Sequence, residues 1–220
     1  MFRSFLNSWR SPTRVALFGT SADPPHRGHQ SILSWLADEF DEVAVWAADN
    51  PYKSDQSPLG DRAQMLRLTI DTLPKKENVR VHQELSDRYS IYSIARARKI
   101  WPGARFSLVV GADLIAQLPQ WYKAEDIFAQ VEILVFPRPG YAVEGPELAK
   151  LRRVAKVAVA RPPHQYDVAS SRYRQHRCDE SSSEDALDLP PAVRDYVVSR
   201  NLYPCSEAAQ TASAQTSTNR

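Results

Sequence analysis

Two histidines, His26 and His29, stand three residues apart in a segment, residues 19–29, that reads Gly-Thr-Ser-Ala-Asp-Pro-Pro-His-Arg-Gly-His. In the first turn of a helix this spacing places both rings on one face. Two imidazoles there could donate hydrogen bonds to a triphosphate as negative charge builds up on a leaving pyrophosphate. The start of a helix also attracts anions through its unpaired N–H groups. The predicted phosphate ligands are Gly19, Thr20, Ser21, His26 and His29.

Three other interpretations of this segment stay open: a helix-capping loop, a zinc site built on the two histidines, and two surface histidines. Zinc needs at least one further protein ligand, and the remaining histidines (His82, His164 and His176) show no motif spacing. The segment lacks the Gly-Lys-Ser/Thr of a Walker A loop and the Gly-x-Gly-x-x-Gly of a dinucleotide site. A kinase or a dehydrogenase therefore loses its main support.

Apolar runs rich in β-branched residues alternate with segments of helical spacing, which is typical of a parallel sheet wrapped by helices. We predict an α/β fold, a doubly wound, Rossmann-like parallel sheet of about six strands flanked by helices. Its ligand should lie beyond the carboxyl ends of the strands, where the winding changes direction. The predicted strands are residues 15–18, 43–47, 79–82, 106–110, 133–136 and 157–160.

The helical patterns place apolar residues on one face at three- and four-residue intervals. One follows the histidine segment, with Ile32 and Leu36 among its apolar residues, and one contains Met65 and Leu66. We expect one domain over residues 14–204, an N-terminal extension of residues 1–13 and a disordered tail of residues 205–220. The other predicted helices are residues 91–100, 122–128, 148–154 and 192–199.

Composition narrows the class of protein. With 28 basic and 26 acidic residues the net charge is +2, so no broad cationic field favours nucleic acid as a partner. Nothing in the sequence approaches the roughly 20 apolar residues that cross a bilayer, and the first residues lack a secretory signal. With two cysteines, Cys178 and Cys205, we expect a cytoplasmic protein without membrane partners, and the oligomeric state, including a homo-oligomer, is left open.

The segment 19–29 resembles the Gly-Gly-Thr-Phe-Asp-Pro-x-His-x-Gly-His pattern of the nucleotidylyltransferase superfamily. More closely, the chain is similar to the nicotinate mononucleotide adenylyltransferase family over most of residues 13–203. It departs from the pattern at Thr20, Ser21 and Ala22. A side chain at position 20 narrows the freedom of a backbone that has glycine there in the family.

Three further segments match that family in the same order along the chain. Residues 50–53, Asn-Pro-Tyr-Lys, resemble a substrate loop, which assigns Asn50 and Lys53 to the mononucleotide and Lys53 to its phosphate. Arg62 resembles the arginine of an Arg-x-x-Met-Leu helix, at the acceptor phosphate or its loop. Ser90 stands at the threonine of a Ser-Tyr-Thr segment that helps to hold the pyridine substituent.

Residues 111–123, Gly-Ala-Asp-Leu-Ile-Ala-Gln-Leu-Pro-Gln-Trp-Tyr-Lys, form the second strong match. By resemblance Trp121 stacks on the pyridine ring, which suits an indole facing an electron-poor cation. Asp113 would contact the ribose. The structural alternatives are that Trp121 is an ordinary core residue and that Asp113 is a helix N-cap.

Residues 168–174, Val-Ala-Ser-Ser-Arg-Tyr-Arg, resemble the Ile-Ser-Ser-Thr-x-Ile-Arg signature of the family. Ser171 stands at the threonine position and Arg174 at the final arginine. Hydroxyls that open a helix, followed one turn later by an arginine, would form a second anion clamp facing the first loop. By resemblance both residues bind ATP, and the catalytic residues are His26, His29 and Arg174.

The resemblance implies transfer of AMP from ATP to nicotinate mononucleotide, which yields nicotinate adenine dinucleotide and pyrophosphate in NAD biosynthesis. No protein nucleophile is required, since such catalysis rests on positioning and electrostatic stabilisation. Mg²⁺ is expected with ATP, bridging phosphate oxygens and needing few protein ligands. The alternatives are nicotinamide mononucleotide or another phosphate acceptor as substrate, and a non-catalytic nucleotide-sensing module on the same fold.

Overall fold

The computed structural model describes residues 12–49, 56–162, 164, 168–176 and 188–204. Within them six parallel strands form one sheet in the order β3-β2-β1-β4-β5-β6. This is the strand order of a doubly wound sheet, so the predicted fold class is confirmed. The strands are β1 (Arg14–Thr20), β2 (Glu42–Ala47), β3 (Val79–Val81), β4 (Arg105–Gly111), β5 (Glu132–Phe136) and β6 (Val157–Val159).

Helices connect successive strands and cover both faces of the sheet. Short 3₁₀ helices lie at Gln83–Leu85, Ala112–Leu114 and Leu118–Gln120. The α-helices are α1 (Arg27–Glu39), α2 (Leu59–Asp71), α3 (Ser90–Ile100), α4 (Ala124–Gln130), α5 (Pro146–Val154), α6 (Ser170–His176) and α7 (Pro191–Ser199). None of the helices in this described part of the chain is long and apolar enough to cross a membrane.

The winding reverses between β1 and β4, which lie side by side in the centre of the sheet. Val15 pairs with Glu42 of β2 on one side and with Phe106 of β4 on the other. The helices that follow the two central strands therefore pack on opposite faces. In such folds the reversal leaves a crevice beyond the carboxyl ends of the strands, and ligands bind there.

Both faces of the sheet are buried, which is why its strands are apolar without alternation. One face packs Leu17, Leu108 and Ile133 against α3, α4 and α5. The other packs Ala16 and Val45 against α1 and α2. A third apolar cluster joins α2, α6 and α7 and consists of Met65, Tyr173, Leu189, Val193, Val197 and Leu202.

The predicted strands all exist, and their observed ends differ from the predicted ones by at most two residues. Two helix starts differ from the predicted ones by two residues: α5 begins at Pro146 and not at Leu148, and α4 begins at Ala124 and not at Tyr122. Lys123, its N-cap, has φ 55° and ψ 44°, and this left-handed conformation interrupts the helix on its N-terminal side. The predicted N-terminal extension, the tail 205–220 and both cysteines lie almost entirely outside the described residues.

Candidate active site

The histidine loop, defined as residues 19–29, leaves the carboxyl end of β1 and ends in the first turn of α1. Because β1 lies between β2 and β4, the loop opens at the reversal point of the sheet. The positive end of the α1 dipole points into the same place. The loop therefore has the position that an α/β fold gives to phosphate groups.

The two histidines cap α1 reciprocally. His26 is the N-cap and His29 the third residue of the helix. Nδ1 of His26 accepts a hydrogen bond from the N–H of Gly28 at 3.1 Å, and Nδ1 of His29 accepts one from the N–H of His26 at 3.2 Å. Each neutral ring consequently carries its proton on Nε2. The helix-capping interpretation is thus correct for this loop, and the cap aims an Nε2–H donor from each ring.

Thr20, at the position of a family glycine, has a hydroxyl that takes part in this arrangement. Its Oγ1 lies 3.0 Å from Nε2 of His29. The ring centroids of His26 and His29 are 4.1 Å apart, at an interplanar angle of 55°. Thr20 therefore fixes the ring of His29 at its outer nitrogen, while the His26 N–H holds it at the inner one.

His26 is held in its neutral form. Burial lowers the pKa of His26 well below 6.5, and electrostatic repulsion by His29 and by Arg138 lowers it further. A half-buried ring that loses hydration, beside groups of the same sign, disfavours a second positive charge. Arg138 itself follows β5, and its Nη1 donates to Oδ2 of Asp113 at 2.9 Å. His26 is therefore an uncharged donor in a basic environment.

Two glycines of the loop permit close packing. A Cβ on Gly19 would lie 2.8 Å from the indole of Trp46, and one on Gly28 would lie 2.9 Å from the ring of His26. Val168, just before α6, would be 3.1 Å from the same Cβ on Gly28. The glycine of His-x-Gly-His is required because the His26 ring and residue 168 both pack on its backbone.

Arg62 ties three segments together beneath the loop. Its side chain donates from Nε to the carbonyl of Ser57 at 2.9 Å, and from Nη1 to those of Ser21 at 3.0 Å and Ala48 at 2.8 Å. Burial lowers the pKa of Arg62, whereas the carboxylates of Asp23 and Asp49 raise it. With 3% of its surface exposed, Arg62 holds the substrate loops, and its predicted contact with the acceptor stays a prediction.

Helix α6 packs its N-terminal half on the histidine loop, as the expected clamp requires. The hydroxyl of Ser170 donates to the carbonyl of Pro24 at 2.9 Å, and Nη1 of Arg174 donates to the carbonyl of Asp23 at 2.5 Å. Ser171 is exposed beside them. The structure thus brings Ser171 and Arg174 to the loop that carries His26 and His29.

A second group of predicted residues follows β3 and β4. Asp113 lies in the turn after β4 and is paired with Arg138, and Gly111 is the N-cap of that turn. The N-cap alternative for Asp113 is therefore wrong. Trp121 is half-buried and packs against the core of the sheet, so its core interpretation is correct in part. Ser90 is the first residue of α3.

Exposed aromatic rings join α3 to the segment that carries Trp121. The tyrosine patch, defined as Tyr89, Tyr92 and Tyr122, has ring centroids 4.6 Å apart for Tyr89 and Tyr122 and 6.3 Å apart for Tyr92 and Tyr122. Tyr92 and Tyr122 are 43% and 47% exposed. The patch places Ser90 and Trp121, each next to one of its tyrosines, in the same neighbourhood.

Two predicted residues, Asn50 and Lys53, lie outside the described residues. Among the residues that the structure does describe, no group of three or more His, Cys, Asp or Glu side chains could hold a metal ion. The zinc interpretation of the two histidines therefore has no third ligand within that part of the chain.

Comparison with known proteins agrees with this geometry. Residues 17–176 match the cytidylyltransferase-like family. A Synechocystis sp. protein named "Probable nicotinate-nucleotide adenylyltransferase" is 40% identical over 208 residues, which cover 86% of this chain and 98% of that protein. The chain belongs to the nicotinate-nucleotide adenylyltransferase family. The nicotinate-nucleotide adenylyltransferase of Bacillus subtilis is 27% identical over 86% of this chain and 98% of its own length.

Solved structures of the same family share the fold. The Plasmodium falciparum nicotinic acid mononucleotide adenylyltransferase complexed with NaAD superposes with a TM-score of 0.75 at 17% identity, covering 87% of this chain and 97% of that one. The same enzyme complexed with APC gives 0.74. The resemblance found in the sequence is thus confirmed for family and fold.

Three residues of this nicotinate-nucleotide adenylyltransferase site were not predicted as functional: Asp23, Arg138 and Tyr203. Arg138 had a signal, since it is the first charged residue after β5, a strand next to β4. Asp23 lies in the histidine loop, but nothing in the sequence indicates that it is buried. Tyr203 gives no local signal, because its partner Asp23 is 180 residues away.

Proposed function

We propose that this protein transfers the AMP group of ATP to the phosphate of nicotinate mononucleotide, forming nicotinate adenine dinucleotide and pyrophosphate. The observation that carries the proposal is the histidine loop, which lies where the winding of the sheet reverses. It occurs in a chain that is 40% identical to a protein named "Probable nicotinate-nucleotide adenylyltransferase". The family and the fold support the reaction class. We infer the roles of single residues from their contacts.

In this reaction a phosphate oxygen of the mononucleotide attacks the α-phosphorus of ATP. The bond from the α-phosphorus to the bridging oxygen breaks, and the electron pair leaves with pyrophosphate. The protein supplies no nucleophile: it aligns the two phosphates and stabilises the charge that develops on the leaving group. Donors that are fixed before the substrate binds serve this purpose best.

The histidine loop supplies such donors for the ATP phosphates. The Nε2–H group of His26, the His29 ring held by Thr20, the start of α1, and the backbone near Gly19 and Ser21 line one side. We assign Ser171 and Arg174 of α6 to the other side. Because His26 stays neutral, the positive charge in this set comes from the guanidinium of Arg174.

The acceptor belongs at the other end of the crevice. Trp121 is half-buried on the core, which leaves part of its surface to stack on a pyridinium ring. Ser90 lies at the start of α3 beside the tyrosine patch, and we assign it to the pyridine substituent. We assign Asp113, which is held by Arg138, to the ribose. Asn50 and Lys53 remain predicted ligands of the acceptor phosphate.

Mg²⁺ enters as part of the MgATP substrate. This ion keeps most of its waters and is held chiefly by substrate phosphates, so it needs few protein ligands. The carboxylates near the loop have protein partners: Asp23 is bonded to Tyr203 and Asp113 to Arg138. The ion therefore fits on the phosphates.

The cytoplasmic location and the absence of nucleic-acid and membrane partners also stay predictions.

The test is pyrophosphate release by the purified protein with MgATP, with nicotinate mononucleotide and nicotinamide mononucleotide offered separately. We expect faster release with the nicotinate form. Faster release with the amide would keep the reaction and change the acceptor. Release with neither, nor with phosphopantetheine, while ATP still binds, would favour a nucleotide-sensing module.

A further inference from the structure

A buried carboxylate lies directly behind the arginine assigned to ATP. Asp23 is 1% exposed, and its Oδ1 accepts hydrogen bonds from the hydroxyl of Tyr203 at 2.6 Å and from the N–H of Ser57 at 3.3 Å. Its Oδ2 is 3.8 Å from Nη1 of Arg174 and has no hydrogen-bond partner among the residues that the structure describes. A buried carboxylate in this state is strongly attracted to the neighbouring guanidinium.

Arg174 also forms a hydrogen bond with the main chain of Asp23. Its Nη1 donates to the carbonyl of Asp23 at 2.5 Å, while 35% of its side chain stays exposed. Arg174 has five N–H donors in a rigid fork, so a bond through one Nη leaves donors for a ligand. The direction in which the Arg174 guanidinium points therefore depends on the position of Asp23.

Tyr203 determines where Asp23 stands. Burial, followed by the hydrogen bond to Asp23, raises the pKa of Tyr203, so its hydroxyl remains a proton donor. The ring of Tyr203 packs edge-on against Tyr173, with centroids 6.1 Å apart, and Tyr173 belongs to α6 with Arg174. One residue therefore braces both the carboxylate and the helix of the arginine.

We propose that Tyr203 and Asp23 are positioning residues for Arg174: the Tyr203 hydroxyl fixes the Asp23 carboxylate, which aims the Arg174 guanidinium at the ATP phosphates. The inference rests on the proposed function, because it takes Arg174 to be an ATP ligand. Without the hydroxyl, the carboxylate keeps the longer bond from Ser57 and can turn towards Arg174, and the guanidinium is drawn away from the crevice. Holding a long side chain in its binding direction lowers the cost of ordering it when the ligand arrives.

The experiment is a double-mutant cycle read by direct binding of ATP. Tyr203→Phe removes the hydroxyl and keeps the ring against Tyr173. The matched control is Tyr196→Phe, which removes a similar bond of 2.7 Å to a buried carboxylate, that of Asp61 between α7 and α2. Both variants are made with Arg174 present and with Arg174→Ala, and the KM for nicotinate mononucleotide is measured alongside.

We expect Tyr203→Phe to weaken ATP binding about fivefold when Arg174 is present, as for the net effect of one ordinary hydrogen bond. In the Arg174→Ala background the same change should alter binding less than about twofold, because nothing remains to be aimed. The KM for nicotinate mononucleotide should stay within about twofold, and so should ATP binding by Tyr196→Phe. A general structural role would give equal losses in both backgrounds and for both substrates, and that result would overturn the inference.

The two proposals fail differently. If Arg174→Ala binds ATP as well as the parent protein does, Arg174 is not an ATP ligand and both its assignment and this inference are wrong. If Arg174→Ala binds poorly but Tyr203→Phe binds normally, the inference alone is wrong. Should Tyr203→Phe fold poorly, Asp23→Asn replaces it in the cycle, since the amide keeps an acceptor for Tyr203 and removes the charge facing Arg174.

Discussion

The histidine loop and the tyrosine patch, assigned above to the two substrates, are built in opposite ways. In the loop, ring nitrogens, hydroxyls and carbonyls are bonded to one another: Thr20 to His29, His29 to His26, His26 to Gly28. In the patch, Tyr92 and Tyr122 are almost half exposed and contact each other through their rings and hydroxyls. One side is fixed by hydrogen bonds before any substrate arrives, whereas the other presents rings to solvent.

This difference matches what the two sides have to do. Charge that develops on phosphate is stabilised best by donors that need no reorganisation, so the loop is rigid. A flat aromatic ligand is held by area and by ring geometry, which tolerate small shifts. We therefore expect substitutions in the loop to lower turnover and substitutions on the aromatic side to raise the KM for the acceptor.

The largest effect is expected for His29→Ala. The variant loses the donor at Nε2 and the acceptor that fixes the N–H of His26, so turnover should fall about 10²- to 10³-fold. Steady-state pyrophosphate release measures it, with thermal unfolding to show that the protein is folded. His82→Ala, which removes a histidine bonded to Glu84 outside the loop, is the control. Normal turnover by His29→Ala would remove the assigned role.

Gly19→Ala tests whether the loop is rigid because it is tightly packed. The new methyl group would lie 2.8 Å from the Trp46 indole, so the free energy of unfolding should fall by about 1–3 kcal/mol. Gly60→Ala is the matched control, since a Cβ there meets nothing within 4 Å. Chemical denaturation compares the two. Equal stabilities would mean that the backbone of the loop can shift.

Trp121→Ala tests the aromatic side. The KM for nicotinate mononucleotide should rise about tenfold, with turnover at saturation little changed. Trp101→Ala removes an indole that packs on His82, with ring centroids 4.9 Å apart, and should destabilise the fold without changing this KM. A normal KM in a destabilised Trp121→Ala protein would assign Trp121 to the core alone.

The smallest effect is a pH dependence that only the loop should show. Because the pKa of His26 is lowered on folding, the unfolded chain binds the proton more tightly than the folded protein does. Stability should therefore fall as the pH drops from about 6.5 towards the lowered pKa, and level off below it. Denaturant unfolding between pH 8 and pH 5 measures the fall.

His26→Asn is the control for this dependence, since asparagine caps a helix without titrating. In this variant the stability should depend less on pH between pH 8 and pH 5. The tyrosine patch should not contribute to the pH dependence of stability in this range. The hydrogen bond between Tyr92 and Tyr122 raises the pKa of Tyr92 above its ordinary value of 10. An unchanged slope in His26→Asn would assign the dependence to another group.

The sequence was sufficient for the strands, because a sheet covered on both faces leaves continuous apolar runs. It was also sufficient for the family, through the order of its motifs. Contacts between distant residues could not be predicted from the sequence. No local pattern shows that Asp23 contacts Tyr203, or that Arg62 is buried and bonded to three carbonyl groups. The left-handed Lys123 was missed as well, since lysine carries no preference for that conformation.

The bond between Tyr203 and Asp23 also bears on how a newly made molecule becomes active. Synthesis delivers residue 23 long before residue 203, and residues 24–202 between them contain five of the six strands. Domains fold as they leave the ribosome, so the sheet and the histidine loop can form while Asp23 still lacks this partner. On this view a nascent chain acquires its finished nucleotide site only after residue 203 has left the ribosome.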